Sequence, residues 1–221
     1  MKGFLSRLFG AKPTTSNASP QSDPPTEARE QGLVDLFWRM QSDVASGYYC
    51  PEEIITNACD YVEDELSREE AEHEARGRLP QLIAAQVENA RNWPHLTDCD
   101  RLDEAFAALE DAGIVSRQNF TCCGTCGAAE IGDQMAAAEK AGTIVRGYAF
   151  FHMQDTDSAV EGDGLYLNYG AVQSGEEAAI SVASEVISQL EAHGLATQWS
   201  GSWDQRIYVD IDWKRRFPFN A

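Results

Sequence analysis

The spacing of apolar residues changes once along the chain, at Gly113, and that change limits the fold more than any motif does. Before it the period is helical. Leu33, Leu36, Phe37 and Met40 recur at intervals of three and four residues, which places them on one helix face. Gly47 is expected to end that helix. Pro51 is expected to open the next, because a first-turn proline lacks only an amide hydrogen that would have no partner there. Ile55, Ala58, Cys59, Val62 and Leu66 make a second stripe. The segment "SREEAEHEARGRLPQLIAAQVENARNW" contains Gly77 and Pro80, so a break or kink is predicted there, ahead of a stripe of Leu79, Ile83, Val87 and Ala90. Thr97 and Asp100 have the spacing of a capping pair before Leu102, Ala105, Phe106 and Leu109, with Gly113 as the stop.

Beyond Gly113 the pattern becomes strand-like, with helices between. "GIVSRQNF" reads as a short strand, "AAEIGDQMAAAEKAG" as a helix, and "TIVRGYAFFHM" as a strand buried on both faces. "DTDSAVEGDG" reads as a polar loop and "GLYLNYGAV" as an alternating strand. Ser174 and Glu177 have capping-box spacing ahead of a helix with Ile180, Ala183, Ile187 and Leu190 inward and Gly194 as stop. "LATQWSG" and "RIYVDIDW" close the series as a pair of strands. The expected class is α+β: a helical part over residues 27–112, then a β-α-β-β-α-β-β part over 113–217, packed together as one domain. Residues 1–26, rich in Pro, Ser and Thr past position 12, read as a disordered tail and linker.

The formal net charge is −19. Residues 1–26 carry Lys2, Arg7 and Lys12 against Asp23, a net of +2, which leaves −21 for the remainder. An exterior that acidic repels phosphate backbones, so nucleic acid is not an expected partner. It attracts a basic protein instead, most strongly at low salt. No run approaches the roughly 20 apolar residues that cross a bilayer. "MKGFLSRLFG" has the makings of weak contact with an anionic membrane surface, but no secretory cleavage pattern. The expected compartment is therefore the reducing cytoplasm, where cysteines are free thiols or metal ligands.

Of the six cysteines, three lie in "NFTCCGTCGAAEIG", at Cys122, Cys123 and Cys126. Three readings stand side by side. A C-x-x-C step between a strand and a helix is the setting of a redox thiol, because amide hydrogens and the helix dipole favour a thiolate. Against it, no proline occurs between His95 and Arg216 to face the motif. The second reading is zinc, held by Cys122, Cys123, Cys126 and His152, with Asp155 and Asp157 near. The third is packing: small side chains in a tight turn, with Thr121 and Thr125 hydrogen-bonding the loop and Gly124 and Gly127 allowing positive φ. Cys59 belongs to a core stripe, and Cys50 and Cys99 sit beside helix starts. His73, His95 and His193 read as solvated or helix-end residues, and Trp199, Trp203 and Trp213 as sheet packing. No nucleophile elbow, phosphate-binding loop or H-E-x-x-H is present, so the residues point to a binding protein rather than an enzyme.

Three blocks, "NWPHLTDCDRLDEAFAALEDAGIVSRQNFTCCGTCGAAEI", "GYAFFHMQDTDSAVEGDGLYLNYGA" and "WSGSWDQRIYVDIDWKRR", resemble an uncharacterised bacterial family, mainly actinobacterial, that is known as a domain of unknown function. The resemblance spans roughly residues 30–216 and rests on an FTCCxxCGxAEI block and a GYxFFHxQDT block. It implies a cytoplasmic bacterial protein and carries over no activity or substrate. Cys122, Cys123, Cys126, His152, Gln154, Asp155 and Thr156 fall in its recognisable blocks.

Overall fold

The computed structural model describes residues 26–218; the tail and membrane-surface readings fall on residues 1–25, outside this range. Helices α1 (Thr26–Ser46), α2 (Pro51–Tyr61) and α3 (Arg68–Ala90) come first. They enclose a core of Leu36, Met40, Ile54, Ala58, Cys59, Val62, Ala71 and Ala75, all 1% exposed or less. Leu36, Met40, Ala58, Cys59 and Val62 belong to the stripes expected from spacing, Ile54, Ala71 and Ala75 do not, and Pro51 does open α2. Of the break or kink expected at Gly77 and Pro80, a break does not occur: α3 is one helix of 23 residues with Pro80 inside it. Leu79 and Ile83 are buried on either side of Pro80. Their packing offsets the missing backbone hydrogen bond of roughly 3 kcal/mol.

Helix α4 (Asp98–Asp111) starts as its sequence indicates. The Thr97 amide donates to Asp100 at 2.8 Å and the Asp100 amide to Thr97 Oγ1 at 3.2 Å. It packs with α7 (Glu176–Ala192) on one face of a five-stranded sheet. The strands are β1 (Ile114–Arg117), β2 (Gly147–Phe150), β3 (Leu165–Ala171), β4 (Ala196–Gln198) and β5 (Ile207–Asp210), in the order β1-β2-β3-β5-β4. Only β1 and β2 run parallel, joined through α5 (Gly124–Lys140). Side-chain alternation sends Ile114 and Ala149 to the core under α4 and α7, and Val115 and Phe150 to a smaller cluster with Ile131 of α5. The fold is α+β, with an N-terminal helical part.

Three local expectations are corrected. "DTDSAVEGDG" is not a loop: most of it forms α6 (Met153–Glu161). Its sequence lacks an apolar stripe because two of its three buried residues, Asp155 and Thr156, are polar, and His152 takes the capping position normally given to Ser, Thr, Asn or Asp. Ser174 and Glu177 form no capping box; α7 begins after Gly175, with no side-chain cap. The long apolar run from Thr143 is a strand only over Gly147–Phe150.

A polar seam joins the helical part to the sheet. Arg39 of α1 reaches Asp157 of α6 through both terminal nitrogens, at 2.9 Å each, and also pairs with the buried Asp43. Ser42 Oγ donates to Asp157 at 2.8 Å, and Asn57 donates to Asp43 at 3.2 Å. Arg215 stacks over Tyr48 at 4.6 Å and pairs with Asp103 at 2.7 Å.

Candidate metal centre at the start of helix α5

Between β1 and α5 the chain makes a strained turn. Asn119 has φ of 49° and Thr121 of 63°, the left-handed region that non-glycine residues avoid and β-branched ones most of all. Such positions cost about 1–3 kcal/mol each and persist where their surroundings hold them. Here they are held. The Phe120 amide donates to Phe151 O at 2.8 Å and the Met153 amide to Thr121 O at 3.0 Å. Asn119 Nδ2 donates to Tyr49 Oη at 2.9 Å, while its Oδ1 accepts from Thr156 at 2.8 Å. The glycines expected at positive φ serve differently. A Cβ on Gly127 would lie 2.4 Å from the Phe150 ring, and one on Gly124 would lie 3.4 Å from His152 Nε2. Gly127 lets α5 sit close to the sheet, whereas a Cβ on Gly124 would make only ordinary van der Waals contact.

The turn delivers the thiols to the first turn of α5. Cys123 is the N-cap residue, with φ −155° and ψ 169°, and Cys126 lies within the helix. The helix therefore starts earlier than its apolar pattern indicated. Ligand atoms of Cys122, Cys123 and Cys126 all lie within 4.8 Å of one another. The Cys122 and Cys126 sulfurs are 3.4 Å apart, within thiol hydrogen-bonding distance. All three are free thiols, Cys122 exposed and the other two partly so. Backbone amide hydrogens of Cys126 and Thr125 hold the Cys123 thiol below its ordinary value. Cys126 goes the other way, pushed up to about 11 by its hydrogen bonds to Cys122 and Cys123.

The charge around this helix start is unusual for the molecule. Each of the other six helices has a Glu or Asp in its first turn, and α5 has none. A helix N-terminus carries roughly half a positive charge. Elsewhere first-turn carboxylates answer it; at α5 the thiols of Cys123 and Cys126 stand in that turn instead.

His152 is beside the thiols but outside their group. Its ring packs on Gly124, and it caps α6: the Asp155 amide donates to Nδ1 at 3.3 Å, and the His152 amide donates to Asp155 Oδ2 at 3.1 Å. Nε2 lies 3.1 Å from the same carboxylate oxygen. Burial holds the imidazole below its ordinary value, and Arg206 acts in the same direction against the pull of Asp155. Asp155 also accepts from Arg206 Nη2 at 2.6 Å. Asp157, also near in sequence, is engaged by Arg39 and Ser42 instead. Sequence reasoning missed Arg206 and Asn119 because their partners lie 51 and 37 residues away, on other elements.

No helix among the described residues is long and apolar enough to cross a membrane. No curated protein and no solved structure matches the chain. A family model described as a domain of unknown function does match, over residues 29–217, blocks and thiol turn included, and the chain belongs to that family, DUF6891.

Proposed function

We propose that the chain is a non-enzymatic binding protein whose CCxxC turn holds one soft metal ion, zinc by chemical class, through Cys122, Cys123 and Cys126. The observation that carries this is the convergence of the three ligand atoms within 4.8 Å. A tetrahedral zinc with Zn–S near 2.3 Å sets its sulfurs about 3.8 Å apart, so small side-chain adjustments close the site. Adjacent cysteines seldom face one ion; the left-handed Thr121 redirects the chain just ahead of this pair. The fourth position suits a water or a donor from a bound molecule. His152 lies beside Gly124 of the same turn, but its Nδ1 lone pair already accepts the α6 cap hydrogen bond. Six free cysteines suit a reducing cytoplasm, and the acidic body suits a basic protein partner.

Cobalt(II) tests the reading, because thiolate ligands give it intense near-ultraviolet charge-transfer absorption. Titration of the purified chain should saturate near one ion, and Cys126→Ser should weaken binding at least about tenfold. A spectrum free of thiolate bands rejects the site.

A second reading rests on the opposed thiols of Cys123 and Cys126. A Cys123 thiolate attacks a client disulfide and releases one client thiolate. Cys126, losing its proton, then displaces the second client sulfur and leaves a Cys123–Cys126 disulfide. Reduction of insulin disulfides by the metal-free chain supports this reading; inertness removes it.

A further inference from the structure

Far along the chain from the cysteine turn, the helical part leaves an apolar surface uncovered. Val34 and Trp38 are 61% and 39% exposed on one face of α1, and Tyr61, the last residue of α2, is 53% exposed. The Trp38 and Tyr61 rings lie 5.7 Å apart, so the two helices contribute to one surface. Aromatic residues grouped this way anchor interfaces. The rim is acidic. Glu27 and Glu30 share the α1 face at helical spacing with Val34 and Trp38, and Glu63 and Asp64 follow Tyr61. All four are exposed and make no ion pair among the described residues. Arg39, 5.8 Å from the Trp38 ring, is already engaged by Asp43 and Asp157.

An apolar centre with an acidic rim fits a short segment that alternates large apolar and basic side chains. The chain contains one: residues 2–12, "KGFLSRLFGAK", with Phe4, Leu5, Leu8 and Phe9 among Lys2, Arg7 and Lys12 and no acid. We propose that the patch of Val34, Trp38 and Tyr61 is the docking site for this segment of the same chain. Reach permits it. Residues 13–25 span up to about 43–47 Å when extended, whereas Trp38 lies only about 18 Å along α1 from Thr26. A tether this short sets an effective concentration on the order of millimolar, so even weak apolar and ionic contacts suffice. Docking would cover the exposed rings and bring the basic end of the sequence against unpaired acids.

The full chain tests this by NMR of tryptophan indole N–H groups, with Trp38→Phe identifying the Trp38 signal. Replacing Phe4→Ser and Phe9→Ser together should shift that signal, and Glu30→Lys with Glu63→Lys should shift it the same way. The Trp213 indole, bonded to Ala45 O at 3.2 Å, should stay in place. A Trp38 signal that superimposes before and after the tail substitutions overturns the proposal. So does a wild-type signal that moves on dilution, which assigns the patch to a second copy. Anionic phospholipid vesicles that bind the wild-type chain through Phe4 and Phe9, with the Trp38 signal unmoved, overturn it in favour of a membrane surface.

Discussion

Two helices of this protein begin on a cysteine, and they finish their first turns differently. At α2, Cys50 precedes Pro51, Glu52 and Glu53, and the Cys50 amide donates to Glu53 Oε2 at 2.7 Å. At α5, Cys123 precedes Gly124, Thr125 and Cys126, with no acid in the turn and two further thiols alongside. The helix dipole is the same in both; what answers it differs. A carboxylate closes the first site, and the second is left to sulfur. The buried cysteines show the third outcome. Cys59 and Cys99 are 1% exposed, and burial raises both thiols, Cys99 to about 12. Access to water and a first turn without a carboxylate, rather than cysteine content or a helix start alone, separate the candidate ligands from Cys50 and from core filling.

The comparison breaks most severely if α5 cannot approach the sheet. Gly127→Val puts side-chain atoms where Phe150 lies, since even a Cβ would be 2.4 Å away. We expect a loss of about 1–3 kcal/mol in a denaturant titration, with loss of metal binding as the helix start shifts. A milder change makes α5 resemble α2. Thr125→Glu adds an acid to the exposed first turn, which competes with the thiolate for the dipole. The effect should be about 0.3–1 kcal/mol. The pH midpoint for alkylation of Cys123 should rise and metal affinity should fall, with overall stability unchanged or slightly improved. The smallest effect comes from the α2 side. The Cys50 amide and thiol hold the Glu53 carboxyl below its ordinary value. A depressed carboxyl contributes stability that is present above its unfolded pKa, near 4.3, and is lost as pH falls through the lower folded value. Glu53→Gln should lower stability by about 0.5 kcal/mol at neutral pH, and the difference from wild type should vanish in acid.

Much of the helical part was legible because its side chains are sorted by burial. The stripe from Ile55 to Leu66 and the group from Leu102 to Leu109 are both buried as their spacing indicates. Helix α6 was illegible for the opposite reason. Its polar side chains are consumed by tertiary partners, Asp155 by Arg206, Thr156 by Asn119 and Asp157 by Arg39. None of these pairings leaves a period in the sequence. Pro80 does not end its helix, because that local rule lost to the packing of Leu79 and Ile83. At the site, spacing named the three cysteines, but their convergence depends on the left-handed turn at Asn119 and Thr121, which is fixed by Tyr49, Phe151 and Thr156 from elsewhere in the fold.

The central claim is that these three thiols act together as a metal site. The most direct test is the zinc content of the chain purified without chelators, beside that of Cys122→Ser and Cys126→Ser. The account predicts about one zinc per chain in the wild type and a clear loss in each variant, as expected for tightly held zinc. Zinc below about 0.2 per chain in the wild type, or full occupancy in both variants, would contradict it.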